Sequence, residues 1–227
     1  MTLGIVLGTG PSLTDCAEQI RRLKAEGALV FGVNRTFEDF DIDVLICCDP
    51  AFHAHYGKIE GNFDHWHWDR KICDWYGYRY IEGVWLVEGV AYPREVYETP
   101  PGPCGGLWVE DKTKISLNHC SAAQALNLAV HYDCEPILLV GHDFRYDPGK
   151  PRHYFRYLSA EAGEYPEPLR KHSEFDKKGK GDDLLQVYRR IANQRGLPRI
   201  VNCTPGSSLP WFEFGQLEDF TAMEGTR

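Results

Sequence analysis

Short apolar runs separated by helical patterns constrain this chain more than any other feature. The runs cover residues 3–7, 28–33, 43–48, 136–140 and 199–203, and helical periodicity covers 12–26, 121–132 and 182–195. A strand that is apolar at nearly every position is buried on both faces, and helices placed between such strands supply that cover. The expected fold class is α/β, a doubly wound, mainly parallel sheet. A chain of 227 residues can bury one such core with room for an excursion, so a single domain over 1–227 is expected.

Two segments break the alternation. Residues 52–112 are rich in aromatics, Gly and Pro, with short irregular strands such as Val84-Trp85-Leu86-Val87, and read as an aromatic-rich insertion. Residues 145–181 hold Arg, Lys, His, Tyr and Pro without sustained periodicity and read as a lid segment. The lid would close over an anionic ligand and exclude water from it.

Charge and cysteine usage exclude several classes. The net charge is −8, with no long basic run, so duplex nucleic acid is not an expected partner. No apolar stretch approaches the roughly 18 residues of a membrane span, and the first residues lack a charged-then-apolar leader pattern. The expectation is a soluble, cytoplasmic protein. The eight cysteines form no Cys-x-x-Cys pair, and Cys47, Cys48, Cys134 and Cys203 lie in or beside apolar segments, as reduced core cysteines do.

Function is expected at the strand ends, because ligands of open parallel sheets bind outside the carboxyl ends of the strands. The first strand ends in Gly8-Thr9-Gly10-Pro11-Ser12. Two glycines allow a sharp turn and close approach of a ligand, and Ser12 can cap a helix whose free N–H groups favour an anion such as phosphate. The other strands end in Asn34-Arg35, in Asp49, in His142-Asp143, and in Asn202, Thr204 and Ser207. Polar residues thus gather on one rim. Asp41-Ile42-Asp43 has the form of a metal-binding Asp-x-Asp pair but stands at the start of its strand, the wrong end for a ligand. His65 and His67 fall on one side of an extended segment, as a metal pair would, without an evident third ligand. No metal is expected at either place.

The ordered set of motifs resembles the bacterial lipooligosaccharide sialyltransferases and the related motility-accessory-factor glycosyltransferases. The set is Gly-x-Gly-Pro-Ser-Leu, a strand ending in Asn34, a strand ending in Asp49-Pro50, a helix through Ala123–Val130 leading to Ile137–Phe144, His172-Ser173, and a final strand entering Thr204-Pro205-Gly206-Ser207-Ser208-Leu209. The resemblance implies a Rossmann-like fold that binds a nucleotide-sugar, commonly CMP-activated, with no further cofactor and no essential metal. By position it places Gly8, Thr9, Gly10, Pro11 and Ser12 at the phosphate and sugar, and Asn34 and Asp49 at the donor. Ser121, Asp143, Thr204 and Ser207 would stand around it. Asp49 stands where the sialyltransferases have Asn, and Arg145 replaces their phosphate-binding tyrosine, with Tyr146, His153 and Tyr154 close by.

His172 matches the histidine that acts as general base in those enzymes, and His142 is the alternative base. The chemistry is consistent. Sugar transfer needs a base at the acceptor hydroxyl and charge stabilisation for the departing phosphate, and a histidine titrates near neutral pH. Arg170 and Lys171 would hold His172 neutral. The reading is a metal-independent glycosyltransferase whose partners are the nucleotide-sugar and a glycan or other hydroxyl acceptor, with a homo-oligomer left open. The alternatives are a non-catalytic nucleotide-binding or assembly protein of this fold, and a nucleotide or pterin phosphotransferase.

Overall fold

The computed structural model describes residues 1–47, 50–87, 90–93, 105–118, 120–145 and 180–222. Its centre is an eight-stranded sheet in which every adjacent pair is parallel. The strands are β1 (Thr2–Leu7), β2 (Leu29–Val33), β3 (Val44–Ile46), β4 (Asp64–His67), β5 (Arg79–Tyr80), β9 (Cys134–Val140), β10 (Ile200–Asn202) and β11 (Glu213–Phe214). Their order is β11-β10-β9-β1-β2-β3-β4-β5. From β1 the chain winds outward to β5, then returns to the other side of β1 to lay down β9, β10 and β11. The α/β class and doubly wound parallel sheet follow from this order.

Alternation along the strands explains the apolar runs. Ile5, Leu7, Leu138 and Val140 belong to one buried cluster with Leu13, Ile20 and Leu23. Val6, Ile137 and Leu139 belong to the other, with Leu126, Val187, Tyr188 and Ile191. The first cluster takes the apolar stripe of helix α1 (Ala17–Ala25). The second takes α4 (Ser121–His131) and α5 (Lys180–Asn193). Both faces are therefore dry, and strands β1 and β9 carry no polar alternation.

Three expectations are corrected. The helix read over 12–26 is a 3-10 turn over Pro11–Cys16 followed by α1 from Ala17. The turn is tight because the Ser12 and Thr14 side chains are engaged locally and across the sheet, Thr14 Oγ donating to the Pro11 carbonyl at 2.9 Å. The insertion read over 52–112 is narrower. Helices α2 (Pro50–Tyr56) and α3 (Arg70–Tyr76) alternate with β4 and β5, which extend the main sheet. Only β6 (Glu82–Val87), β7 (Val90–Pro93) and β8 (Lys114–Ser116) form a separate three-stranded sheet, ordered β7-β6-β8. The strand read over 43–48 is limited to Val44–Ile46.

Among the described residues no helix is long and apolar enough to cross a membrane. Cys16, Cys73, Cys120, Cys134 and Cys203 carry free thiols. Burial pushes the Cys16 thiol up to about 11 and those of Cys134 and Cys203 to about 12, so they stay protonated.

Candidate functional site

The strand order reverses direction at β1, so the topological switch point lies between β1 and β9. Two turns meet there, Gly8–Ser12 after β1 and Gly141–Phe144 after β9. They are laced together. Gly8 N–H donates to the Val140 carbonyl at 2.7 Å and Gly10 N–H to the Gly141 carbonyl at 2.8 Å. The Ser12 hydroxyl donates to Asp143 Oδ2 at 2.8 Å, and its N–H to Oδ1 at 3.2 Å. The Asp143 carboxylate therefore already takes the Ser12 N–H, the place a phosphate was expected to fill. The helix starts behind Gly10 without a side-chain cap, so Ser12 is not a cap but a ligand of Asp143.

The glycines serve this clamp. A Cβ on Gly8 would lie 2.2 Å from the Gly141 carbonyl oxygen, and one on Gly10 would lie 1.8 Å from Asp143 Oδ2. Close approach of the facing turn thus requires a glycine at both positions. Gly141 and Phe144 take positive φ, 74° and 45°, which bends the facing turn over them.

The last strand braces the same turn. Thr204 Oγ1 accepts the His142 N–H at 2.9 Å and donates to the Leu139 carbonyl at 3.2 Å. Ser207 Oγ donates to the His142 carbonyl at 2.6 Å, and Ser208 N–H donates to the Asp143 carbonyl at 2.8 Å. Thr204 and Ser207 are brought to the switch point, with their hydroxyls turned into the protein. Arg145 is exposed on the rim, its guanidinium 3.5 Å from where a Cβ on Gly206 would stand.

His142 is 2% exposed. Its Nδ1 bonds the Val140 carbonyl at 3.2 Å, its ring meets Tyr188 edge-on at 5.6 Å, and Nε2 has no partner among the described residues. Burial lowers its pKa to about 4, against a smaller opposing effect of the Val140 carbonyl, so the imidazole is neutral at physiological pH. Burial raises the Asp143 pKa, partly offset by the two Ser12 hydrogen bonds.

Asn34 directly follows β2 with φ 49°, and its side-chain oxygen accepts from the Cys47 thiol at 3.3 Å. It lies one strand from the switch point. Ser121 opens α4. That helix packs on β1, β2 and β9, and its last turn leads into the start of β9, so its amino end points to the carboxyl rim. Asp49, Tyr146, His153, Tyr154 and His172, with nearly all of the lid read over 145–181, lie outside the described residues.

One residue is absent from the candidates named above. Asn118, just ahead of α4, is fully buried, and neither atom of its amide has a partner among the described residues. A buried unsatisfied amide is costly, and such costs gather at functional sites. Its only signal in the sequence is an Asn before a helix, which also describes an ordinary turn. Tyr188, in the helical stretch 182–195, is fully buried and also closes over His142.

The discounted metal motifs are occupied by structure. Asp43 Oδ2 accepts the Val30 N–H at 2.8 Å, and its other oxygen pairs with Lys24. His65 and His67 are buried against His53, with ring centroids 5.6 and 4.9 Å from it. Among the described residues no group of three or more His, Cys, Asp or Glu is arranged to hold a metal.

No family model matches the chain, and no curated protein does. Among solved structures it is similar to a MAf glycosyltransferase from Magnetospirillum magneticum AMB-1, with a TM-score of 0.53 at 14% identity. The match covers 98% of this chain and 34% of that one, so this chain spans about a third of its length. At that identity the likeness shows a glycosyltransferase-like fold and no more.

Proposed function

We propose that this chain binds a nucleotide-sugar at the carboxyl rim beside β1 and β9 and transfers the sugar to a hydroxyl acceptor without a metal. The observation that carries the reading is Asn118, a buried amide with no partner among the described residues, ahead of a helix whose amino end faces that rim. The exposed Arg145 can hold phosphate at the amino end of α4, where the Ala122 and Ala123 N–H groups meet the Cys120 sulfur. The Asn118 amide can read a base or ribose. Because Asp143 takes the Ser12 N–H, the Gly8–Ser12 turn shapes the wall of this site, while Arg145 supplies a donor and the α4 dipole a favourable field. CMP as the nucleotide, and His172 as the base, rest on the motif resemblance. The glycosyltransferase-like fold of the solved neighbour supports the transferase class. His142, neutral and enclosed by Tyr188, suits holding the turn better than proton transfer at neutral pH.

Thermal-shift measurements with CMP, UDP, GDP and ATP test this. A nucleotide at 100 times its Kd adds about 2.7 kcal/mol, a Tm rise of roughly 5–10 °C in a chain of this size. CMP is expected to give it. Asn118→Ala should weaken that binding at least tenfold while leaving the ligand-free Tm unchanged or higher, since it removes an unsatisfied amide from the interior. A lower ligand-free Tm with unchanged CMP affinity makes Asn118 structural. A shift with ATP or GDP but not CMP favours a phosphotransferase, and no shift with any of them favours a non-catalytic assembly protein.

Turnover, measured with the donor so identified, is expected to survive EDTA. Asp43 is committed to the Val30 N–H and to Lys24, and among the described residues no group of three or more His, Cys, Asp or Glu is arranged to hold a metal. Loss of turnover on chelation, restored by manganese, overturns the metal-free mechanism.

A further inference from the structure

A cavity of about 380 Å³ opens at the end of the sheet opposite the rim. It is bounded by the segment leading from α2 into β4 and the segment leading from α3 into β5. In a parallel sheet these are the amino ends of the strands, opposite the rim described above. We infer that this cavity is a binding site for a neutral saccharide, separate from the proposed donor site and independent of it.

The first argument is charge. Two cations and two carboxylates line the cavity, and each is matched. Lys58 pairs with Glu60 at 3.3 Å and Arg79 with Asp64 at 2.8 Å. The lining thus sums to zero, and an ion of either sign would break a pair to enter. A sugar hydroxyl both donates and accepts, so it can bridge the nitrogen and the oxygen of one pair.

The second argument is His65. It is 6% exposed, lines the cavity, and has no hydrogen-bond partner at either ring nitrogen among the described residues. Burial, with His53 and His67 beside it, lowers its pKa to about 3, so it is neutral, one nitrogen a donor and the other an acceptor, both lying just beneath the cavity wall and reached when the wall gives way. That pairing again matches a hydroxyl group rather than an ion.

The third argument is the aromatic wall. Tyr78 stacks on His65 with centroids 3.6 Å apart, Tyr76 lies 5.4 Å from Tyr78, and Phe63 borders the same space. Ring faces take the apolar C–H side of a sugar, and paired polar groups around them take its edge. Tyr78 is fixed in place, its hydroxyl accepting the Ile59 N–H at 2.7 Å.

The test is nuclear magnetic resonance of the full chain with ¹⁵N-labelled histidine. N-acetylglucosamine, galactose and maltose are titrated to tens of millimolar, with inorganic phosphate and choline as charged probes. At least one sugar is expected to move the His65 ring nitrogens in a saturable way, and neither charged probe should. Tyr76→Ala should weaken the sugar at least fivefold. Glu60→Gln, at an exposed position where folding is not at stake, should weaken it several-fold and allow phosphate to bind, because Lys58 is then unmatched. No shift with any sugar overturns the inference. Phosphate or choline moving His65 in the unaltered protein overturns it too, as does sugar binding unchanged in both variants. Because the readout is at His65, failure here leaves the nucleotide experiments untouched.

Discussion

Gly8→Ala is expected to cost on the order of 3 kcal/mol or more and to lower Tm by roughly 6–12 °C. The added Cβ would stand 2.2 Å from the Gly141 oxygen and 2.7 Å from its carbonyl carbon. Both are backbone atoms, and neither side can retreat cheaply. Gly8 is tied to Val140 by its N–H, and Gly10 to Gly141. Moving the Gly141 turn also pulls on His142, which Thr204 holds, and on Asp143, which Ser12 holds. The control is Gly57→Ala, where φ is 67° but nothing lies within 4 Å, so only the left-handed backbone cost of about 1–2 kcal/mol applies. Chemical denaturation of the two variants checks this. Equal midpoints for Gly8→Ala and the parent would show that the two turns are not clamped. It also follows that a glycine variant in this turn which fails to bind nucleotide reports on folding first.

The second large effect is acid sensitivity. His65 and His142 have folded-state pKa values lowered to about 3 and about 4, chiefly by burial, and His131 is lowered for the same first cause. In the unfolded chain each titrates near 6.5. Between those limits the unfolded state binds more protons, so acid favours unfolding. The stability these residues provide is complete above about pH 6.5 and is lost as pH falls towards 4 and then 3. Each contributes a slope of up to about 1.4 kcal/mol per pH unit, so His65 and His142 together approach about 3 kcal/mol per unit near pH 5. Asp143 acts in the opposite sense. Its raised pKa means that the folded state takes up its proton first, which offsets part of the loss at low pH. Against a total stability of roughly 5–15 kcal/mol, cooperative unfolding is expected between about pH 5 and 4. Denaturation midpoints at pH 7, 6 and 5 measure the slope. The doubly substituted His65→Gln, His142→Gln chain should lose about two protons of it. An unchanged slope would mean that neither ring is buried neutral.

The same residues show what could and could not be read from the chain. Apolar runs at 3–7 and 136–140 announce strands buried on both faces, and the helical stretches between runs announce their cover. These are local properties of period and composition, and they were enough for the α/β class and for a rim of polar residues. The extended segment through His65 and His67 is legible in the sequence, but its place in the main sheet as β4 is not, because its inward residues are histidines that are buried only where His53 and Tyr78 pack on them. The insertion was overdrawn for that reason.

The sequence by itself determined the five apolar strands β1, β2, β3, β9 and β10, their buried character and the glycine turn after the first of them. Which strands became neighbours was decided only in three dimensions. β1 meets β9 across more than a hundred residues, and that pairing alone brings Asp143 onto Ser12. A turn read as waiting for phosphate is thereby filled with the chain's own carboxylate. The reason is physical. Period and propensity act within a few residues of chain, whereas the partner of a buried N–H is chosen by the packing of both faces of the sheet at once.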